Sequence, residues 1–485
     1  MKTTIVPGPR TKCIAIAVLG ASQALLSAGG AIAWDAATTH AGLTARALDS
    51  SKFHAVLVHQ LGRALGGFEP LKLAASALDA DTFRGLKNRL DMLDLSGGYR
   101  PTPEGSATAV GWVKAGAVLA KTPPELGRQH FFEPSSQTGL SDGPGLSGTL
   151  HAARLTLGDG ASFRDAATGR VFDLEGMPAT AWLWSQENDL GLAAFFDNWA
   201  LAVGAKSPLE RDTALARSLL ALGGVLSVLE DMGQPAYVRN DFRGEFDETG
   251  SGLENFVADR YGAVALPKAQ AAVSRPNLES FFAAADGKGL AQMTQRRFFS
   301  RGTLPNAIAC VPGDNSSEVA NLLNQSLKFA EPRLDSVDLR PSEGPRYLVR
   351  DGAKIAAYRR IGDRIQFFFD RTVYADIARV WLPQVMGYAA GLIDQLLRAS
   401  LQMTVAGDQV TLALSGTSGA LATDVVAHLL VEDGHGQRHE VAAVPLAGSG
   451  SAVVRLPNGA RKLAAFARSR DGAGVFVATG ELLLP

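Results

Sequence analysis

The apolar periodicity of this chain changes once, near Leu401, and that change limits what it can fold into. From Asp35 to about Arg398, apolar residues recur mostly at three- and four-residue spacing, the period of a helix with one buried face. After Leu401, stretches such as QMTVAGDQVTLALSG and GVFVATGELLLP alternate or run apolar over short lengths, cut by Gly, Asn and Asp. That is the rhythm of an all-β sandwich. The expected architecture is mainly α: a helical domain over residues 34–399, then a small β-sandwich domain of Ig-like type over 400–485.

The first 33 residues read as a secretory leader. MKTTIVPGPRTK carries Lys2, Arg10 and Lys12 and no acid, a mostly apolar stretch follows, and Ala31-Ile32-Ala33 is a small-x-small cleavage site. Cys13 lacks the small-residue context of a lipoprotein site, so the expected product is secreted or periplasmic and begins at Trp34. Loss of three basic residues would take the formal charge from -1 to -4. This balance offers none of the basic stripe that nucleic-acid binding uses. Cys310 would be the only cysteine left, which excludes an internal disulfide. After cleavage no transmembrane segment is expected.

Within the helical region, SPLERDTALARSLLALGGVLSVLEDM reads as a long helix, with Ser207-Pro208 at its start and Glu210 in its first turn. It runs into LSVLEDMGQPAYVRND, which has the look of half a metal site. Asp231 follows Ser227 by four residues, so both project from one helical face. Three more groups can be set beside it: His40 in THAGL, His130 in RQHFFEP and Glu254 in GSGLENFV. Nitrogen and carboxylate donors of these types suit zinc. Each also has an ordinary structural reading. His40 fits as a half-buried helix histidine, His130 as a core residue donating to a carbonyl, Asp231 as the partner of Arg217 or Arg239, and Glu254 as an exposed first-turn acid favoured by the helix dipole.

Taken in order, Trp34 with His40, HFFEP around His130, LSVLEDMGQPAYVRND and LENFV resemble the zinc-dependent phospholipase C and P1 nuclease family. The resemblance runs from about Trp34 through most of the helical region and does not reach the β segments. It implies a helical cleft holding three zinc ions. One ion would be bound by the Trp34 amino terminus, His40 and Asp231, and all of these are present. A second would use His130 and Asp231, but its other two positions fall on Lys121 and Ser227. The third keeps only Glu254, with Tyr237 where a histidine is expected. The metal set is thus Trp34, His40, His130, Asp231 and Glu254, with Asp231 and Glu254 also the catalytic candidates and a single zinc expected.

The resemblance implies an exported hydrolase of a phospholipid or other phosphodiester, in contact with a membrane surface, its trinuclear site partly lost and its activity weak or altered. The rival reading is a non-catalytic secreted or envelope binding protein on the same scaffold. A third uses Asp241, Glu245 or Asp247 around a different metal arrangement.

Overall fold

The computed structural model describes residues 36–91, 105–122, 124–140, 162–164, 171–173, 176–241, 252–310, 313, 315–327, 329–422, 425–446, 450–456 and 460–484. Trp34 and the leader at 1–33 lie outside them, as do Glu245 and Asp247. Helices of eight or more residues are α1 (Ala41–Asp49), α2 (Phe53–Leu61), α3 (Ala80–Asp91), α4 (Ala109–Leu119) and α5 (Leu192–Gly204). They continue with α6 (Pro208–Asp231), α7 (Gly252–Ala263), α8 (Leu290–Arg297), α9 (Ser316–Gln325) and α10 (Arg371–Leu396).

The long α6 is the axis of the helical region. Ser207 caps it by accepting from the Glu210 backbone N–H while Glu210 returns a bond to the Ser207 backbone, and Pro208 occupies the first turn. Among the described residues it is the one helix long and apolar enough to cross a bilayer, yet 89% of that apolar window is buried inside the protein. It packs against α4 and α5. The crossing with α4 is close because glycines face each other: a Cβ on Gly116 would sit 1.9 Å from the Leu220 carbonyl oxygen, and one on Gly223 would sit 2.0 Å from that of Val113.

Two features depart from the periodicity. The first helical stretch is not continuous: it begins as a π-helical turn (Ala36–His40), continues as α1, breaks at Ser50–Lys52 and resumes as α2. The region is also not helical throughout. Strands Arg346–Arg350, Ala353–Ile361 and Arg364–Phe368, with the short Ile308–Ala309, form an antiparallel four-stranded sheet. Ala357, Tyr358 and Phe367 are buried in the same core as the helices.

The last helix, α10, carries Pro383 in its interior and ends at Leu396. Strands follow: β1 (Ser400–Ala406), β2 (Gln409–Ser415), β3 (Val426–Glu432), β4 (Arg438–Pro445), β5 (Ser451–Arg455), β6 (Lys462–Asp471) and β7 (Gly474–Leu483). A helical region followed by a β-rich region is therefore the observed plan. The sandwich expectation needs one adjustment, since hydrogen bonds join the strands into a single sheet in the order β4-β3-β6-β7-β1-β2-β5. Its one parallel link is Thr479 to Ser400, and Leu401, Leu412, Leu429, Leu463 and Phe476 share a core of their own.

If the glycine contact sets the α4–α6 distance, Gly116→Ala forces the helices apart. Overpacking of this kind costs about 1–3 kcal/mol. The expected outcome is a lower urea midpoint with unchanged slope, and an unaltered midpoint would show that the crossing has slack.

Candidate functional site

The groups singled out in the sequence meet where α4 and α6 both end. Asp231 is the last residue of α6, and Lys121 lies just beyond the end of α4. His40 closes the π-helical turn that leads into α1. His130 ends a 3-10 segment, Pro124–His130, and Tyr237 sits on a short helix, Pro235–Val238. His40, His130, Ser227, Glu230, Asp231 and Tyr237 are all fully buried, and Lys121 keeps only 6% of its exposure.

Lys121 is the centre. Its ammonium lies 2.9 Å and 2.7 Å from the two Asp231 carboxylate oxygens and 2.8 Å from His40 Nε2. An ammonium has three donors and no acceptor, and three acceptors surround this one. The cation also lies 5.4 Å from the centre of the Tyr237 ring, which stacks on Phe131 at 4.2 Å. His130 Nδ1 is 2.6 Å from the second Asp231 oxygen, and His40 Nδ1 is 2.5 Å from Glu230, which also accepts from the Thr44 hydroxyl at 2.9 Å.

Burial opposes charge on every member, and each responds according to its neighbours. Burial works to raise the Asp231 carboxyl, but Lys121, His40 and the bond from His130 overcome it and hold the group far below the usual carboxylate range. Burial lowers His130, and the attraction of Asp231 does not make up the loss, so the imidazole is neutral with Nδ1–H donating to Asp231. Burial raises Glu230 in spite of its bonds from His40 and Thr44. His40 is pulled down by burial and by Lys121 but ends raised, through Asp231 and Glu230. At 2.8 Å only one proton fits between Lys121 Nζ and His40 Nε2.

Zinc at this point would need the lone pairs of His40 and Asp231, and those lone pairs already receive the Lys121 donors. A second cation a few ångströms from the ammonium is repelled by roughly 4 kcal/mol per unit charge at 4 Å and an effective dielectric of about 20. The side chains present therefore do not fit a zinc ion while Lys121 points inward. Among the described residues no group of three or more His, Cys, Asp and Glu side chains is placed to hold a metal.

Of the expected set, His40, His130 and Asp231 come together, and Lys121, Ser227 and Tyr237 join them. Glu254 is buried on the first turn of α7, which packs against the turn carrying His40. It is not the solvated first-turn acid of the ordinary reading. Arg239 does not pair with Asp231; its guanidinium goes to the Gln295 and Glu331 carbonyls and lies over Phe329. Asp241 is turned away to the Gly302 N–H at 2.6 Å. Sequence reasoning missed Glu230 and Thr44. The available signal was an acid directly before Asp231 on a helix with no other charge after Arg217.

No family model and no curated protein matches this chain. Among solved structures it is similar to the alpha toxin from Clostridium absonum, at 10% identity and a TM-score of 0.28, over 92% of this chain and 94% of that one. Likeness at that level leaves function to be argued from the cluster itself.

Two outcomes follow from the geometry. Replacing Lys121 by Met takes the ammonium from the buried Asp231 carboxylate and leaves it only the His130 and His40 imidazoles, which costs up to about 3–5 kcal/mol. Urea unfolding of Lys121→Met should show this loss, and adding Asp231→Asn should restore part of it. On acidification, the neutral His130 contributes stability above about pH 6.5 that is lost below it, and ionised Asp231 contributes stability above about pH 4 that is lost as pH falls further. His40, being raised, runs the other way and stabilises below about pH 6.5. Urea midpoints from pH 8 to pH 3 should fall, with the limb below about pH 4 flattened in Asp231→Asn.

Proposed function

We propose that this chain is an exported, non-catalytic protein on a phospholipase C-like helical scaffold, in which a lysine ammonium stands where the related enzymes hold metal. The single observation that carries this reading is the position of Lys121 Nζ, 2.7–2.9 Å from both Asp231 oxygens and 2.8 Å from His40 Nε2. The leader at 1–33 and the ordered motifs from His40 to Glu254 support export and the scaffold.

A phosphodiester hydrolase of this kind draws on its ions to lower the pKa of a bound water and to neutralise charge on the phosphoryl oxygens. Here the cation is a single ammonium with its donors engaged by Asp231 and His40. The polar atoms of Lys121, His40 and Asp231 are engaged by one another, which leaves none of them to receive a substrate phosphate. Under this reading the cluster is an internal brace, and binding functions fall to the surface, the β region included.

Zinc content and hydrolysis test the proposal together. Protein with the leader removed, loaded with excess zinc and desalted, should hold well under one equivalent by elemental analysis. It should not release product from a generic phosphocholine ester, and its melting temperature should be indifferent to chelator. One tightly held zinc with chelator-sensitive turnover would overturn it. As a control, Lys121→Asp with Ser227→His should take up zinc, since it removes the cation and returns two ligands.

A further inference from the structure

A cavity of about 310 Å³ lies directly behind the cluster, between the end of α4, the 3-10 segment carrying His130, the short helix Ala179–Trp182 and α6. Leu126, Trp182, Leu190 and Val228 give it apolar walls, and His130 is part of its lining. This histidine is fully buried. Its Nδ1 donates to Asp231, so Nε2 bears a lone pair, and Nε2 makes no hydrogen bond among the described residues. A buried acceptor without a partner beside a cavity of ligand size is a place where a donor would be held.

The charged groups of the lining decide what kind of molecule suits it. Arg89 is fully engaged: Nη1 meets both Asp189 oxygens, Nη2 donates to the Leu119 carbonyl and Nε to that of Thr122. Asn188 is also committed, donating to the Trp182 carbonyl and accepting from the Leu190 N–H. Among the described lining residues, Glu187, exposed, is then the one charge with no counterion in the lining itself. Among the described residues the cavity thus has an acceptor at one wall, apolar sides and a net negative lining.

We infer that this cavity binds a small organic molecule with an apolar body and a hydroxyl donor, carrying no negative charge and accepting a cationic end. The hydroxyl donates to His130 Nε2, the body packs on Trp182 and Val228, and an ammonium group is favoured by Glu187. Phosphate esters are disfavoured by the same acid. The inference needs neither the presence nor the absence of zinc, so it stands or falls separately from the reading above.

Three probes on the intact protein test it: tyramine, phenethylamine, which lacks the hydroxyl, and phenyl phosphate, which brings an anion. The expected result is calorimetric binding of tyramine with a Kd of about 1 mM or tighter, and phenethylamine weaker by at least about tenfold. Phenyl phosphate should not bind. The His130 Nε2 nitrogen resonance should move with tyramine and stay still with phenethylamine. Glu187→Lys, a surface change that leaves the fold intact, should weaken tyramine severalfold. Equal binding of tyramine and phenethylamine with an unmoved Nε2 signal would overturn the inference. So would tighter binding of phenyl phosphate, or no binding of any probe.

Discussion

The closeness of α4 and α6 is the constraint from which the centre of this molecule follows. With Gly116 and Gly223 at the crossing, each backbone rests against the other, with no side chain between. A four-carbon lysine stem starting one turn-end beyond α4 can then reach the carboxylate that closes α6. At an ordinary helix separation of 8–10 Å, set by side chains, the same two residues would be a less secure pair. The glycines thus do more than permit packing. They fix the span over which a buried charge is neutralised.

That neutralisation is unusual in being complete and internal. A buried carboxylate with one lysine would leave lone pairs unmet, and a buried lysine with one carboxylate would leave donors unmet. Here the donors of Lys121 find both Asp231 oxygens and His40, while His130 takes the remaining approach to Asp231. Glu230 and Thr44 then complete the far side of His40. Such a network is costly to disturb at any point, because each loss strands a group that water cannot reach.

Much of this was legible in the sequence, for identifiable reasons. Helices with long apolar faces, such as α5 and α6, announce themselves by period, and the β strands after Leu401 by alternation. The four-stranded sheet over residues 308–368 was not read, because its strands lie in a mixed, arginine-rich stretch and carry no long alternation. At the cluster, Asp231, His40 and His130 were found through ordered motifs. The same motifs set Lys121 at a ligand position, but the part it plays there was not legible, because the carboxylate it meets lies 110 positions away. Glu230 was hidden for the same reason, its partner being His40 on the other side of the fold.

The helix α6 touches two distant parts of the molecule. At its first turns Arg211 donates to the Gly436 carbonyl in the turn between β3 and β4, and just before it the Lys206 carbonyl accepts from the Arg438 N–H. Arg438 is itself buried between Glu432 and the Val203 carbonyl. At its last residue is Asp231. A rod of 24 residues, about 36 Å long, is therefore anchored at one end in the β region and at the other in the lysine cluster. Neither end can be loosened without pulling on the same rigid element, so the two regions should melt in step, as one cooperative unit, despite being built from opposite kinds of secondary structure.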